Sequence, residues 1–192
     1  SCTSKPFRWT TEVAQPMQTY IRWMDAVSRW FGVLAAWALF AACLISAGNA
    51  VLRYAFSIGS NAWLEVQWYL FGIAVFAGAP MLLKLNEHVR VDVLYGGRSP
   101  RTKAWIDVVG ILLVLLPLCG LVVWLSWPFV VESFQQQEHS PSAGGLIRWP
   151  IKAAMPLGFA LLGLQGLAEL LRRIDFLRGR AEMDIHYERP LQ

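Results

Sequence analysis

The sequence predicts an all-α membrane protein: four transmembrane helices with both termini on the cytoplasmic side. Three observations lead there. The apolar residues, 56% of the chain, gather into four blocks instead of alternating with polar ones as in a soluble domain. The second block, Trp63 to Leu83, holds no Lys, Arg or Asp, and its one carboxylate, Glu65, sits in the first turn. At about 1.5 Å per residue it spans about 31 Å, the thickness of a bilayer's hydrocarbon core. The third observation is the charge split. Fourteen of the seventeen Lys and Arg fall in the N-terminal region, the connection after the second block and the tail. Only Arg53, Arg148 and Lys152 fall in the other two loops, so the positive-inside rule places those two loops outside.

The chain divides into residues 1–30, a cytoplasmic segment; 31–172, the four-helix membrane domain; and 173–192, a charged and solvated cytoplasmic tail. In the first part no early apolar core precedes Pro16, so the stretch does not read as a signal peptide. Met17, Tyr20, Met24, Val27 and Phe31 recur at three- and four-residue spacing, with Arg22, Asp25 and Arg29 facing elsewhere. This pattern fits an amphipathic helix on the membrane surface feeding the first span, or equally a simple cytoplasmic extension of that span.

The spans are placed at about 31–52, 63–83, 105–131 and 151–171. Trp30 and Tyr54 bracket the first, and Asn49 within it is expected to point into protein. The loop 53–62 can do little more than join two antiparallel helices. After the second span comes a dense polar group: Lys84, Asn86, Glu87, His88, Arg90 and Asp92. Ser99-Pro100 has the form of an N-cap followed by proline at the first helical position. Asp107 lies near the polar end of the third span, and Pro117 is expected to kink that span. Residues 132–152 form the second outer loop, with Gly144-Gly145 as its flexible part and Trp149-Pro150 leading into the last span. Near the end of that span Gln165 is expected to bond a neighbouring helix and Glu169 to be solvated.

Chemistry inside the membrane has few candidates. His88, His139 and His186 all lie in polar segments, so paired haem ligation inside the bundle lacks donors. No two carboxylates face each other at mid-span, and no phosphate loop or nucleophile–base motif occurs. The three cysteines form no C-x-x-C, so neither a disulfide framework nor a zinc site is expected. The net charge of +4 comes from residues flanking apolar runs, which suits anionic lipid and not nucleic acid. Arg53 and Glu65 could pair across the short loop, or each could snorkel to water. His88 with Asp92 could anchor a fold-back of the cytoplasmic connection. No catalytic, cofactor or metal residue is expected.

An ordered series of segments carries a resemblance. Arg53-Tyr54 closes the first span, and W-L-E-V-Q-W-Y-L (Trp63–Leu70) opens the second. H-V-R-V-D (His88–Asp92) and S-P-R-T-K-A-W-I-D (Ser99–Asp107) follow. Then come Glu132-Ser133, E-H-S (Glu138–Ser140), G-G-L-I-R-W-P-I-K (Gly144–Lys152), M-P-L-G (Met155–Gly158) and L-L-G-L-Q-G-L (Leu161–Leu167). Each piece is weak alone, but the set resembles the small membrane subunit of tripartite ATP-independent periplasmic (TRAP) transporters. The resemblance implies a non-enzymatic subunit in a bacterial inner membrane. It would support a large membrane subunit that carries the solute and sodium sites. A periplasmic binding protein would deliver an organic acid. It would leave this chain with no cofactor of its own. The residues then expected at partner interfaces are Arg53, Glu65, His88, Asp92, Glu132, Glu138, Gly144, Gly145 and Lys152. The alternative from another class is the membrane anchor of a respiratory haem or quinone enzyme.

Overall fold

The structure, a computed structural model, describes residues 8–9, 15–57, 59–85, 99–142, 145–179 and 181–182. Four helices among them are long and apolar enough to cross a membrane. They are α1 (Gln15–Phe56), α2 (Asn61–Leu85), α3 (Pro100–Gln135) and α4 (Trp149–Leu177). A two-residue antiparallel pair, β1 (Arg8–Trp9) with β2 (Ala181–Glu182), joins the two ends of the chain. Successive helices are antiparallel, so one end of the bundle carries the start of α1, the end of α2, the start of α3 and the end of α4. The other carries the 136–148 loop.

The amphipathic stretch at the N-terminus is not a separate element. It runs without a break into the first span, giving one helix of 42 residues. Nothing between Met17 and Phe56 interrupts it, since Gly32 and Gly48 are tolerated singly. The apolar stripe also has a different partner from a lipid surface. Ile21 and Met24 are buried against Ala168 of α4, with Met17, Tyr20 and Leu171 packed around them. The Tyr20 hydroxyl donates to the Leu164 carbonyl at 2.9 Å. α1 ends at Phe56, where Ser57 takes a left-handed φ of 56° and turns the chain into α2.

α3 starts as its sequence predicts. The Ser99 side chain accepts from the Thr102 N–H at 3.3 Å, and Pro100 occupies the first turn. Its middle departs from a regular helix: Ile111–Leu115 form a π-helical turn just ahead of Pro117. Pro117 has no N–H for the Leu113 carbonyl, and its ring crowds that carbonyl. A widened turn accommodates both problems inside a continuous helix.

α4 packs on all three other helices, and most of the buried polar residues are its own. Close approach is obtained from missing side chains, as expected for helices that associate in lipid. A Cβ at Gly166 would lie 2.7 Å from Leu115 of α3. A Cβ at Gly158 would lie 2.9 Å from the carbonyl oxygen of Phe76 in α2. Phe76 is four residues before Pro80, so this is the carbonyl that Pro80 leaves without its helical donor. The α2–α4 contact therefore forms where Pro80 leaves α2 short of one backbone bond.

Candidate functional site

The polar residues of the described chain collect at the two ends of the bundle. At the loop end, the 136–148 segment folds back on itself. Ser140 N–H donates to the Leu146 carbonyl at 3.0 Å, and Arg148 N–H to the Glu138 carbonyl at 2.9 Å. His139 and Ile147 form a bridge between them. Two carboxylates fix this small hairpin. Glu65, from the first turns of α2, accepts from the Ser140 hydroxyl and from the Leu146 N–H, the latter at 2.8 Å. Glu138, within the loop, pairs with Lys152 of α4 and with Arg148, and accepts from Ser133 at 2.9 Å. The Lys152 ammonium beside it, then the Ser133 hydroxyl, hold the Glu138 carboxyl below the usual carboxylate range. Lys152 also stands 3.8 Å over the Phe129 ring, and Phe134 meets Trp149 edge-on with ring centroids 5.4 Å apart.

Four of the residues expected at an interface thus meet at one place: Glu65, Glu138, Gly145 and Lys152. Gly145 closes a tight turn there, its N–H bonded to the Ser142 carbonyl at 2.9 Å, with no room for a side chain. Arg53 and Glu132 do not join them. Arg53 is exposed at the end of α1, and no ion pair among the described residues links it to Glu65. Glu132 is exposed in the last turn of α3 and accepts from the Gln136 amide at 3.0 Å. His88, Asp92 and Gly144 lie outside the described residues.

The terminal end holds a cluster that the sequence reading did not assemble. Asp25 of α1 is its hub. Arg172 of α4 pairs with it, Lys84 of α2 approaches at 3.6 Å, and the Gln165 amide lies at 3.5 Å. Arg172 also pairs with Glu169. Gln165, 0% exposed, accepts from the buried Ser28 hydroxyl at 2.8 Å, which confirms the expected bond to a neighbouring helix. Arg173 reaches Asp107 of α3 at 3.3 Å. So all four helices are tied by charged or amide groups within one layer. One expectation is corrected here. Glu169 is not solvated but 4% exposed, and it pairs with Arg172. Asp107 is taken by Arg173. The signal was present in the sequence: Gln165, Glu169 and Arg172 are spaced four and three apart and share one face of α4.

Among the described residues no group of three or more His, Cys, Asp or Glu side chains converges as a metal site would. What the arrangement does is mechanical: it cross-links helices at one end and fastens a loop at the other.

The sequence model of one family, described as tripartite ATP-independent periplasmic transporters, DctQ component, matches residues 42–176. That is more than two thirds of the chain. The chain belongs to this family. Comparison with curated proteins and with solved structures gives no match. This DctQ component is therefore part of a transporter and not an enzyme, and it is a multi-pass membrane protein. The matched region takes in the whole loop-end cluster and the α2, α3 and α4 members of the terminal cluster. It leaves out residues 15–41 of α1, and with them Asp25 and Ser28. A tripartite transporter has two further parts, and the family implies a large membrane subunit and a periplasmic binding protein beside this chain.

Proposed function

We propose that this DctQ component is the supporting permease subunit in sodium-driven uptake of an organic acid. In this reading it sits in a bacterial inner membrane with both termini and the 86–98 connection in the cytoplasm. The 53–62 and 136–148 loops then face the periplasm, where the binding protein delivers its solute. The large subunit carries the solute and the sodium ions. The observation that supports a scaffold role is the cross-linking of all four helices through Asp25, Lys84, Asp107 and the α4 groups Gln165, Arg172 and Arg173. Such a layer resists relative sliding of the helices, which suits a subunit that stays fixed while a neighbour moves. Arg53, Glu65, His88, Asp92, Glu132, Glu138, Gly144, Gly145 and Lys152 are the residues assigned to its partner contacts. At the loop end, Glu65 and Glu138 act indirectly: they shape the surface that exposed Arg53, Glu132 and the loop backbone present. Charges at such a rim govern encounter and orientation more than affinity.

Reconstitution tests this. Liposomes holding this chain alone should show no solute uptake. Liposomes holding it with the large subunit, plus binding protein and an inward sodium gradient, should accumulate an organic acid. Uptake by the lone chain, or full uptake by the large subunit without it, would sink the proposal.

A further inference from the structure

The N-terminal half of α1 has two faces, and only one is used inside the chain. Ile21, Met24 and Ser28 are buried against α4. The opposite face carries Arg22-Trp23 and, seven residues later, Arg29-Trp30, all four exposed. Seven residues are close to two helical turns, so the two pairs line up on one stripe about 10 Å apart. Trp23 is 59% exposed and Trp30 63%. The second pair immediately precedes the apolar run that starts at Phe31.

We infer that this Arg–Trp stripe binds the headgroups of anionic phospholipids. Charge complementarity favours that occupant. Among the described residues neither Arg22 nor Arg29 takes part in an ion pair, while the acidic neighbour Asp25 is turned inward and taken by Lys84 and Arg172. The stripe is thus a pair of cations that no described carboxylate of the chain neutralises. A guanidinium offers a planar fork of donors that matches a phosphate. An indole at the bilayer boundary keeps its ring among the chains and its N–H in the polar layer. Position agrees as well. α1 has 42 residues, about 63 Å of helix, against about 40–45 Å for a bilayer with its headgroups. Its N-terminal part must therefore lie in or just beyond a headgroup layer. This stretch does not meet the membrane by inserting its apolar face, since α4 already covers that face. It meets the membrane through cations and indoles.

The test uses the full chain in zwitterionic micelles, titrated with phosphatidylglycerol brominated on its acyl chains and, separately, with brominated phosphatidylcholine. Tryptophan quenching is the readout. Phosphatidylglycerol should bind more tightly, and added salt should weaken that preference. The double variant Arg22→Gln/Arg29→Gln should lower the preference roughly tenfold, while Arg53→Gln at the other end should leave it unchanged. Arg22→Lys/Arg29→Lys keeps the charges and should keep most of the preference, which separates lost charge from lost fold. Trp23→Phe/Trp30→Phe should remove much of the phosphatidylglycerol-dependent quenching, which locates the site. An unchanged preference in the glutamine double variant would overturn the inference. So would a double variant that binds the lipid normally but no longer co-purifies with the large subunit, because the stripe would then be a protein interface.

Discussion

The two polar ends of this bundle are built in opposite ways. At the terminal end side chains bond side chains, mostly across helices, and several of the groups are buried: Gln165, Glu169, Arg173 and Ser28. At the loop end carboxylates bond the loop, partly through its backbone, and remain half open to solvent. The first arrangement joins helices to each other, so its loss is felt by the whole bundle. The second holds a short segment in shape, so its loss should stay local. The comparison makes a general point: equal numbers of charges at two membrane surfaces need not do equal work. What they bond decides.

The largest expected effect is at Arg172, which lies between Asp25 of α1 and Glu169 of α4. Arg172→Ala removes the shared cation and leaves two shielded carboxylates. It should cost about 3–5 kcal/mol, the usual penalty for breaking a buried pair by removing one partner. Thermal unfolding of the detergent-solubilised chain, followed by circular dichroism, measures it. Arg172→Lys should lose less, although a point charge cannot fork between two carboxylates. If Arg172→Ala lowers Tm no more than Arg53→Ala does, the two ends are not different in kind.

Between the ends, packing takes over from charge. A methyl at Gly158 would meet the Phe76 backbone, its Cα at 3.1 Å and its oxygen at 2.9 Å. Gly158→Ala should therefore cost about 1–3 kcal/mol by forcing α2 and α4 apart. At Gly72 the nearest obstacle is the tip of Ile151, whose Cδ1 would be 2.8 Å away and can rotate. Gly72→Ala should be clearly milder in the same unfolding assay. Equal losses would mean that the contact yields as readily at the Phe76 carbonyl as elsewhere.

These contrasts also mark what the sequence could show. The four spans were legible because about 20 apolar residues in a row have one physical explanation in a chain of this size. The Ser99-Pro100 start of α3 was legible because capping is a local event. The π turn was only half legible: Pro117 announces a disturbance, but not whether the helix bends or widens to absorb it. The terminal cluster was missed for a different reason. Asp25, Lys84, Asp107 and Glu169 each stand at the end of an apolar run, where solvation is the simplest reading. The pairing of Asp25 with Lys84 and Arg172 depends on α1 continuing past the membrane boundary as one helix, which turns Asp25 toward α4. Glu65 and Glu138 were picked out as important, but their direct partners are in the 133–152 segment. That pairing needs the loop's hairpin, which no local pattern encodes.

A smaller effect tests whether the terminal layer is cooperative. Ser28 donates to Gln165, and Gln165 also approaches Asp25. In a double-mutant cycle, Ser28→Ala and Gln165→Ala should show a coupling of about 0.5–1.5 kcal/mol. Hydrogen bonds between membrane helices average near the lower end of that range. Repeating the cycle in an Asp25→Asn background should change the coupling if the three groups act together. Unchanged coupling would reduce the layer to a set of independent bonds.

The smallest effect on the whole molecule, and the most local, belongs to Glu138. Lys152 and Ser133 favour its charged form, so its carboxyl titrates lower in the folded loop than in an unfolded chain. The sign follows from linkage. A lowered folded pKa contributes order that is fully present above the unfolded value, about 4.3 for glutamate, and is lost as pH falls through the folded value. Hydrogen exchange should report it at the amides that close the hairpin: Glu138, Ser140 and Arg148. They should stay protected from neutral pH down to about the ordinary glutamate value and open only below it. Glu138→Gln keeps the shape but removes the charge, so these amides should exchange faster at neutral pH and keep only the acid step that Glu65, the hairpin's other carboxylate, contributes. The Tm of the bundle should barely move in either case, because α4 remains fastened at the other end by Arg172 and Arg173. If Glu138→Gln lowers Tm as much as Arg172→Ala, the loop end is as much a part of the helix framework as the terminal end, and the division between them fails.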